Sequence, residues 1–143
     1  MSTIRAKAVC LFRRDGQILL SEGYDPAKEE KYLIPVGGGI EFGEKAEEAA
    51  IRETFEEIGA KIYDLSLLGV TENIFTFDNQ KGHEIVFVYE AKLEDEGLYH
   101  KPEMVGIETN GESFVVKWFS EDEIITNKVP FYPNGIAGLL SNG

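Results

Sequence analysis

Three glutamates near the middle of the chain have the type and spacing to do chemistry with a metal ion. Glu53, Glu56 and Glu57 follow Arg52 in the run RETFEEIGA, residues 52–60. At about 100° per residue on a helix, the three carboxylates fall within an arc of roughly 100°. Like charges at i, i+4, such as Glu53 and Glu57, destabilise a helix by about 0.2–0.5 kcal/mol. Clustered carboxylates also raise one another's pKa unless a cation intervenes. A hard divalent ion such as Mg²⁺ relieves both effects, because it prefers carboxylate and phosphate oxygens. Arg52 reaches Glu56 at i+4 and can fix its orientation. The plainer reading is a solvated surface helix, with Glu48–Arg52 and Glu57–Lys61 as ordinary i, i+4 pairs.

Positioning those groups requires a helix and a way into it. Residues 45–58 contain no Pro or Gly, and Ala46, Ala49 and Ala50 are strong helix formers. Gly59 follows as a C-terminal stop. Ile51, Phe55 and Ile58, at i, i+4 and i+7, centre on the side opposite the carboxylates, which predicts a buried apolar face and an exposed acidic one. Upstream, the run YLIPVGGGIEFG (residues 32–43) is a short apolar strand entering four glycines. Glycine there permits close approach by a ligand, and a loop leading into a helix N-terminus suits oxyanions and ions. The loop is neither a phosphate-binding Walker loop nor a dinucleotide fingerprint.

The full spacing is Gly38, five residues, Glu44, seven residues, Arg52-Glu53, two residues, Glu56-Glu57, one residue, then Gly59 and Ala60. It resembles the signature of the Nudix (MutT-like) hydrolases, metal-dependent enzymes that cleave a diphosphate linkage. The resemblance implies an α/β fold, an α/β/α sandwich with a mixed β-sheet and a loop-helix-loop metal site. It implies Mg²⁺, with Mn²⁺ as substitute, bound by Glu53, Glu56 and Glu57 and by the carbonyl of Gly37. Glu44 would assist, and Arg52 would orient a catalytic glutamate. The implied reaction is hydrolysis of a nucleoside diphosphate-X compound, a nucleoside triphosphate or nucleotide sugar among them, releasing a nucleoside monophosphate or another phosphate ester. The proton of the attacking water would pass to Glu56 or Glu57, or to an acid of residues 94–112 such as Glu103 or Glu108. Two positions depart from the family pattern. Val36 separates Pro35 from the paired glycines, and Thr54 stands where the family usually has an apolar residue.

The alternatives come from other classes. A Nudix-like domain without catalysis would be a ligand-sensing or protein-binding module, but such domains usually have a broken motif, and here every carboxylate is kept. A calcium-binding or acidic interaction domain would call for a D-x-D-x-D-G loop, which is absent. Marks of Nudix subgroups are also missing. There is no SQPWPFPxS-like array, and Ile74 stands where many ADP-ribose hydrolases have Pro. Tyr32, Phe42 and Phe75 are candidates to stack on a base, although Phe75 and Phe77 fit a core role better on an alternating strand.

Composition limits the setting. The chain has 143 residues, 43% of them hydrophobic and 11% aromatic, enough for one domain (residues 1–143) that buries roughly two-thirds of its unfolded surface. The net charge of −12 argues against a nucleic-acid groove or an anionic membrane as partner, and bound metals would have to offset it for a phosphorylated small molecule. Cys10 is the only cysteine, so a cytoplasmic location and a buried inert thiol are expected. Homodimerisation is common in the family, though the sequence names no interface.

Along the rest of the chain, residues 4–13 and 17–21 are predicted strands around an Asp15-Gly16 hairpin turn. Residues 24–31 read as a loop. Residues 62–77 and 84–93 read as strands around a 78–83 connection, and 94–112 as an unordered polar connection. A strand over 113–119 leads into a helix capped by Ser120 and ending at Ile125, and a last helix covers 134–140.

Overall fold

The computed structural model describes residues 3–108, 110–126, 130–132 and 135–141. Eight strands are β1 (Ile4–Leu11), β2 (Arg13–Arg14), β3 (Gln17–Asp25), β4 (Glu30–Gly39), β5 (Ile62–Phe77), β6 (Gln80–Leu93), β7 (Glu103–Ile107) and β8 (Ser113–Ser120). The helices are α1 (Ala46–Ile58), α2 (Glu121–Ile125) and α3 (Ile136–Ser141). The strands form a mixed sheet in the order β5-β6-β1-β4-β3-β8-β7, with β2 paired to β3. Only the β1–β6 pair is parallel among the strand pairs of the described residues.

The second half of β1, residues 8–11, is apolar without alternation because both of its faces are covered. Ala8 and Cys10 point into the core beneath α1, together with Phe12, Leu19 and Trp118. Val9 and Leu11 point into a second core with Ile18, Leu20, Ile124 and Ile136, beneath α2 and α3. This is the α/β/α arrangement implied by the sequence resemblance. Leu11, Phe12 and Leu20 are fully buried, and burying such a side chain contributes about 1.5–3 kcal/mol. β4 belongs to both halves of the sheet, pairing with β3 as far as Pro35 and with β1 from Val36 onward. The change of partner coincides with Pro35, which has no N–H to give to a ladder.

α1 packs the other way round from its hydrophobic pattern. Its buried residues are Ala49, Ala50 and Thr54, whereas Ile51 and Phe55 are 40% and 53% exposed and Ile58 is only partly buried. The small residues let the helix approach the glycine-rich end of β4, and bulky ones would hold it off. Thr54 tolerates burial because its hydroxyl donates to the Ala50 carbonyl at 2.8 Å. Gly59 ends the helix in the left-handed conformation, as expected.

Elsewhere the structure orders segments that the sequence left open. Residues 24–31 are not a loop throughout, because Tyr24↔Lys31 and Asp25↔Glu30 extend the β3–β4 hairpin. The 78–83 connection is only the turn Asp78-Asn79, with both residues at positive φ, as a type I′ hairpin needs. Residues 94–112 hold a 3₁₀ turn (Glu96–His100) and β7. Ser120 makes no side-chain cap. Instead the Glu121 N–H donates to the Gly16 carbonyl, and the Glu121 carboxylate meets Arg13 at 2.7 Å. The final helix starts at Ile136, and residue 134 of the expected span lies outside the described residues. Among the described residues no helix is long and apolar enough to cross a membrane.

Two hairpin tips meet at Asp25, which is 4% exposed. Its Oδ1 accepts from the N–H groups of Ala27 (3.0 Å) and Lys28 (3.4 Å) in its own turn, and of Asp78 (3.1 Å) at the β5–β6 tip.

Candidate active site

The reversed packing of α1 presses its acidic side against the sheet. Glu53 lies directly over Gly38, where an added Cβ would fall 2.5 Å from the carboxylate. Glu57 Oε1 accepts from the Gly37 N–H at 3.0 Å. A groove of about 860 Å³ is lined by Gly37, Gly38, Glu53, Glu56, Glu57 and Glu108, with Arg5 and Lys7 on its other side. The expected surface pairs are replaced: Glu48 accepts from the Lys45 N–H and Glu57 from Gly37.

Arg52 organises this groove. Its Nε and Nη2 grip both oxygens of Glu44 at 2.8 and 2.9 Å. Nη1 reaches Glu53 at 2.8 Å and Glu56 at 3.2 Å, and Nη2 also donates to the Gly39 carbonyl at 2.9 Å. The bidentate bond to Arg52 and then the Glu41 N–H hold the Glu44 carboxyl down at about 2. Glu57 is the opposite case. Burial, reinforced by the nearby charges of Glu53 and Glu108, pushes it up to about 7, with the Gly37 N–H and Lys7 offsetting part of the rise.

Among the described residues no three carboxylate, imidazole or thiol groups converge closely enough to hold a metal as they stand. Glu53 and Glu56 are both turned toward Arg52. The chemistry of the donors nevertheless fits a hard divalent ion: the carboxylates of Glu53, Glu56, Glu57 and Glu108 line one groove with the glycine-rich backbone, and Glu57 is a half-buried acid whose ionised form is disfavoured there.

Other expected residues separate. Phe42 is fully exposed and lines neither this groove nor the neighbouring cavity, so it is not placed to stack on a substrate. Glu108 faces the groove, whereas Glu103 pairs with Lys117 on β8 and does not line it. Tyr32 and Phe75 share a second cavity of about 210 Å³ with Phe77 and Tyr132. Phe75 and Phe77 are therefore not core residues. Their strand runs past the edge of the packed sheet, so the alternating pattern there faces a void. Cys10 is fully buried, and burial pushes its thiol up to about 12, as expected for an inert cysteine.

Lys7, which lines both cavities, escaped the sequence reading. The available signal was a charged residue set one position before the continuous apolar run of residues 8–11. Tyr132 escaped too, because only the pairing of residues 130–132 with Leu33 brings it to Tyr32.

A model of the NUDIX domain matches residues 2–139. The chain belongs to the Nudix hydrolase family. Among its relatives, an RNA pyrophosphohydrolase of Aeromonas hydrophila is 34% identical over 65 residues, 46% of this chain and 35% of that protein. The chain thus spans about a third of that curated relative's length. A MutT NUDIX hydrolase from Burkholderia pseudomallei superposes with a TM-score of 0.62 at 26% identity, over 85% of this Nudix chain and 86% of the other. An ADP compounds hydrolase shares the fold with a TM-score of 0.67 at 21% identity, over 99% and 73% of the two chains.

Proposed function

We propose that this Nudix domain hydrolyses a diphosphate linkage in a nucleoside diphosphate-X compound, releasing a nucleoside monophosphate or phosphate ester. The observation that carries the reading is the gathering of Glu53, Glu56 and Glu57 on one groove around the Arg52 clasp. The 34% identical relative named for pyrophosphohydrolysis supports the same reaction class. Glu53, Glu56, Glu57 and the Gly37 carbonyl would hold Mg²⁺ or Mn²⁺. When bound, the metal supplies charge neutralisation of adjacent phosphates and a lowered pKa for water.

The chain's own residues do the rest. Arg52 fixes Glu44, Glu53 and Glu56 relative to one another and to the Gly39 carbonyl. Glu57 and Glu108 are the acids best placed to accept a proton, because both line the groove, Glu57 against the Gly37 N–H and Glu108 opposite the helix carboxylates. Glu103 drops out of that role.

The test is hydrolysis of a panel with Mg²⁺ or Mn²⁺, resolved by ion-exchange chromatography. The panel holds nucleoside triphosphates, ADP-ribose, nucleotide sugars, dinucleoside polyphosphates and an oligoribonucleotide bearing a 5′-triphosphate. Metal-dependent release of a monophosphate is expected, and Glu56→Gln should lower turnover by about a hundredfold or more with the fold intact. Near-wild-type turnover in that variant overturns the mechanism.

A further inference from the structure

A third cleft, of about 590 Å³, opens where the start of β1 lies next to the start of β6. The parallel register sets Ile4 opposite His83 and Arg5 opposite Glu84, and the β5–β6 hairpin sets Thr76 opposite Lys81. Arg5, Lys81 and His83 therefore line one space. Phe75 and Phe77 belong to the linings of both this cleft and the ring-lined cavity, and so form the wall between them.

The charge of the cleft runs against that of the molecule. Acids outnumber Lys and Arg by 26 to 14 over the chain, so a basic side chain finds a carboxylate easily. Lys7, Arg13, Lys31, Arg52 and Lys92 each have one. Among the described residues Arg5, Lys81 and His83 make neither an ion pair nor a side-chain hydrogen bond. The one carboxylate in the lining, Glu84, faces Lys7 at 3.6 Å.

Arg5 links the cleft to the carboxylate groove, since it lines both. Its Nη2 lies over Gly39, 3.2 Å from where a Cβ would stand. It borders the groove of Glu53, Glu56 and Glu57 without pairing with any of them, whereas Arg52 pairs with both Glu53 and Glu56. Its planar fork is thus left for an oxyanion brought in by a ligand.

We propose that the cleft beyond Arg5 takes the X end of the nucleoside diphosphate-X substrate, and that this X is itself anionic, bearing at least one further phosphate group. This assignment rests on the diphosphate-hydrolase reading and names the substrate class within it. A neutral sugar gains little from an unpaired guanidinium and ammonium. A phosphate gains a two-point contact with Arg5 and a charge contact with Lys81, and these offset its repulsion by a chain of net charge −12. Arg5 and Lys81 therefore set specificity by holding phosphate oxygens, and neither transfers a proton.

The test uses Arg5→Gln, Arg5→Lys and Lys81→Gln in the whole chain, with folding checked by circular dichroism. Both side chains are exposed, so neither substitution removes core packing. Calorimetric titration of metal-free protein with inorganic tripolyphosphate reads the cleft without turnover, because the carboxylate groove then repels that anion. Binding should weaken by about tenfold or more in Arg5→Gln and in Lys81→Gln. In metal-loaded protein, kcat/KM for a nucleoside triphosphate is divided by that for the nucleotide sugar of the same base. The ratio should exceed one in wild type and fall by about tenfold or more in both Gln variants, and Arg5→Lys should recover part of it. A wild type that prefers the nucleotide sugar, or that does not bind tripolyphosphate, would overturn the proposal. So would an unchanged ratio in the folded variants. If Glu56→Gln is inactive while the Arg5 and Lys81 variants keep the wild-type ratio, only the cleft assignment falls. If Glu56→Gln is fully active, the hydrolase mechanism falls with it.

Discussion

Glu57 and Glu44 lie in the same site and respond to pH in opposite senses. The fold raises Glu57 from an ordinary 4.5 to about 7, so between those values the folded chain holds a proton that the unfolded chain has released. Its contribution to stability is fully present below about 4.5 and is lost as pH climbs through 7. Glu44, lowered to about 2, contributes above its ordinary 4.5 and loses that contribution as pH falls toward 2. In metal-free protein, Glu57→Gln should therefore flatten the decline in melting temperature as pH rises from 5 to 8, as measured by calorimetry. An unchanged slope would mean that Glu57 is not the strained acid. At this scale the motif was largely legible, because fixed spacings on a helix determine which side chains share a face. Arg52 reaching Glu56 followed directly from i+4. Its double grip on Glu44 did not, since that depends on how residues 39–45 curl back over the helix.

α1 and β4 form the unit that makes the site, and their contact is set by small residues. Hydrophobic periodicity gave most weight to Ile51, Phe55 and Ile58 and so chose the wrong face. Ala49 and Ala50 contribute little apolar area, yet they allow the close approach to Gly37 and Gly38 that brings the carboxylates onto backbone. Gly37 has φ near +152°, and a Cβ on it would fall 2.2 Å from the Ala8 carbonyl oxygen, which is sheet backbone and cannot retreat. Gly37→Ala should lower unfolding free energy by about 2 kcal/mol or more in urea titration. Phe55→Gln, on the exposed face, should stay within about 0.5 kcal/mol of wild type. If Phe55→Gln were the more damaging variant, the packing direction of α1 would be wrong. The Asp15-Gly16 turn and the strands on either side of it were readable from alternation and from Asp-Gly. Strand β7 was hidden because its edge position leaves Val105 and Ile107 exposed, and its pattern merges with the polar residues around it.

The whole molecule carries a net charge of −12, and its candidate site concentrates part of that charge in one groove. Divalent ions should stabilise the folded chain beyond ordinary screening, by about 2.7 kcal/mol at a hundred times Kd. Thermal unfolding with Mg²⁺ or Mn²⁺ should show this as a higher melting temperature at pH 7.5. The gain should shrink as ionic strength rises from about 0.01 M to about 0.5 M, because the more distant acidic residues stop contributing. An equal gain in Glu53→Gln, or none in wild type, would place metal binding elsewhere or deny it. The separation of the two cavities was not legible in the sequence, because it arises from strands far apart in the chain.

The Asp25 joint gives this arrangement a mechanical character. The β3–β4 and β5–β6 hairpins are each rooted in the sheet, and their free ends are fastened together at one oxygen. Two cantilevers joined at their tips make an arch. The crossing is one bond, from the Asp78 N–H to Asp25 at 3.1 Å, worth about 1.5–3 kcal/mol for a charged acceptor. It holds the span between the limbs from the rim and not through the rings inside.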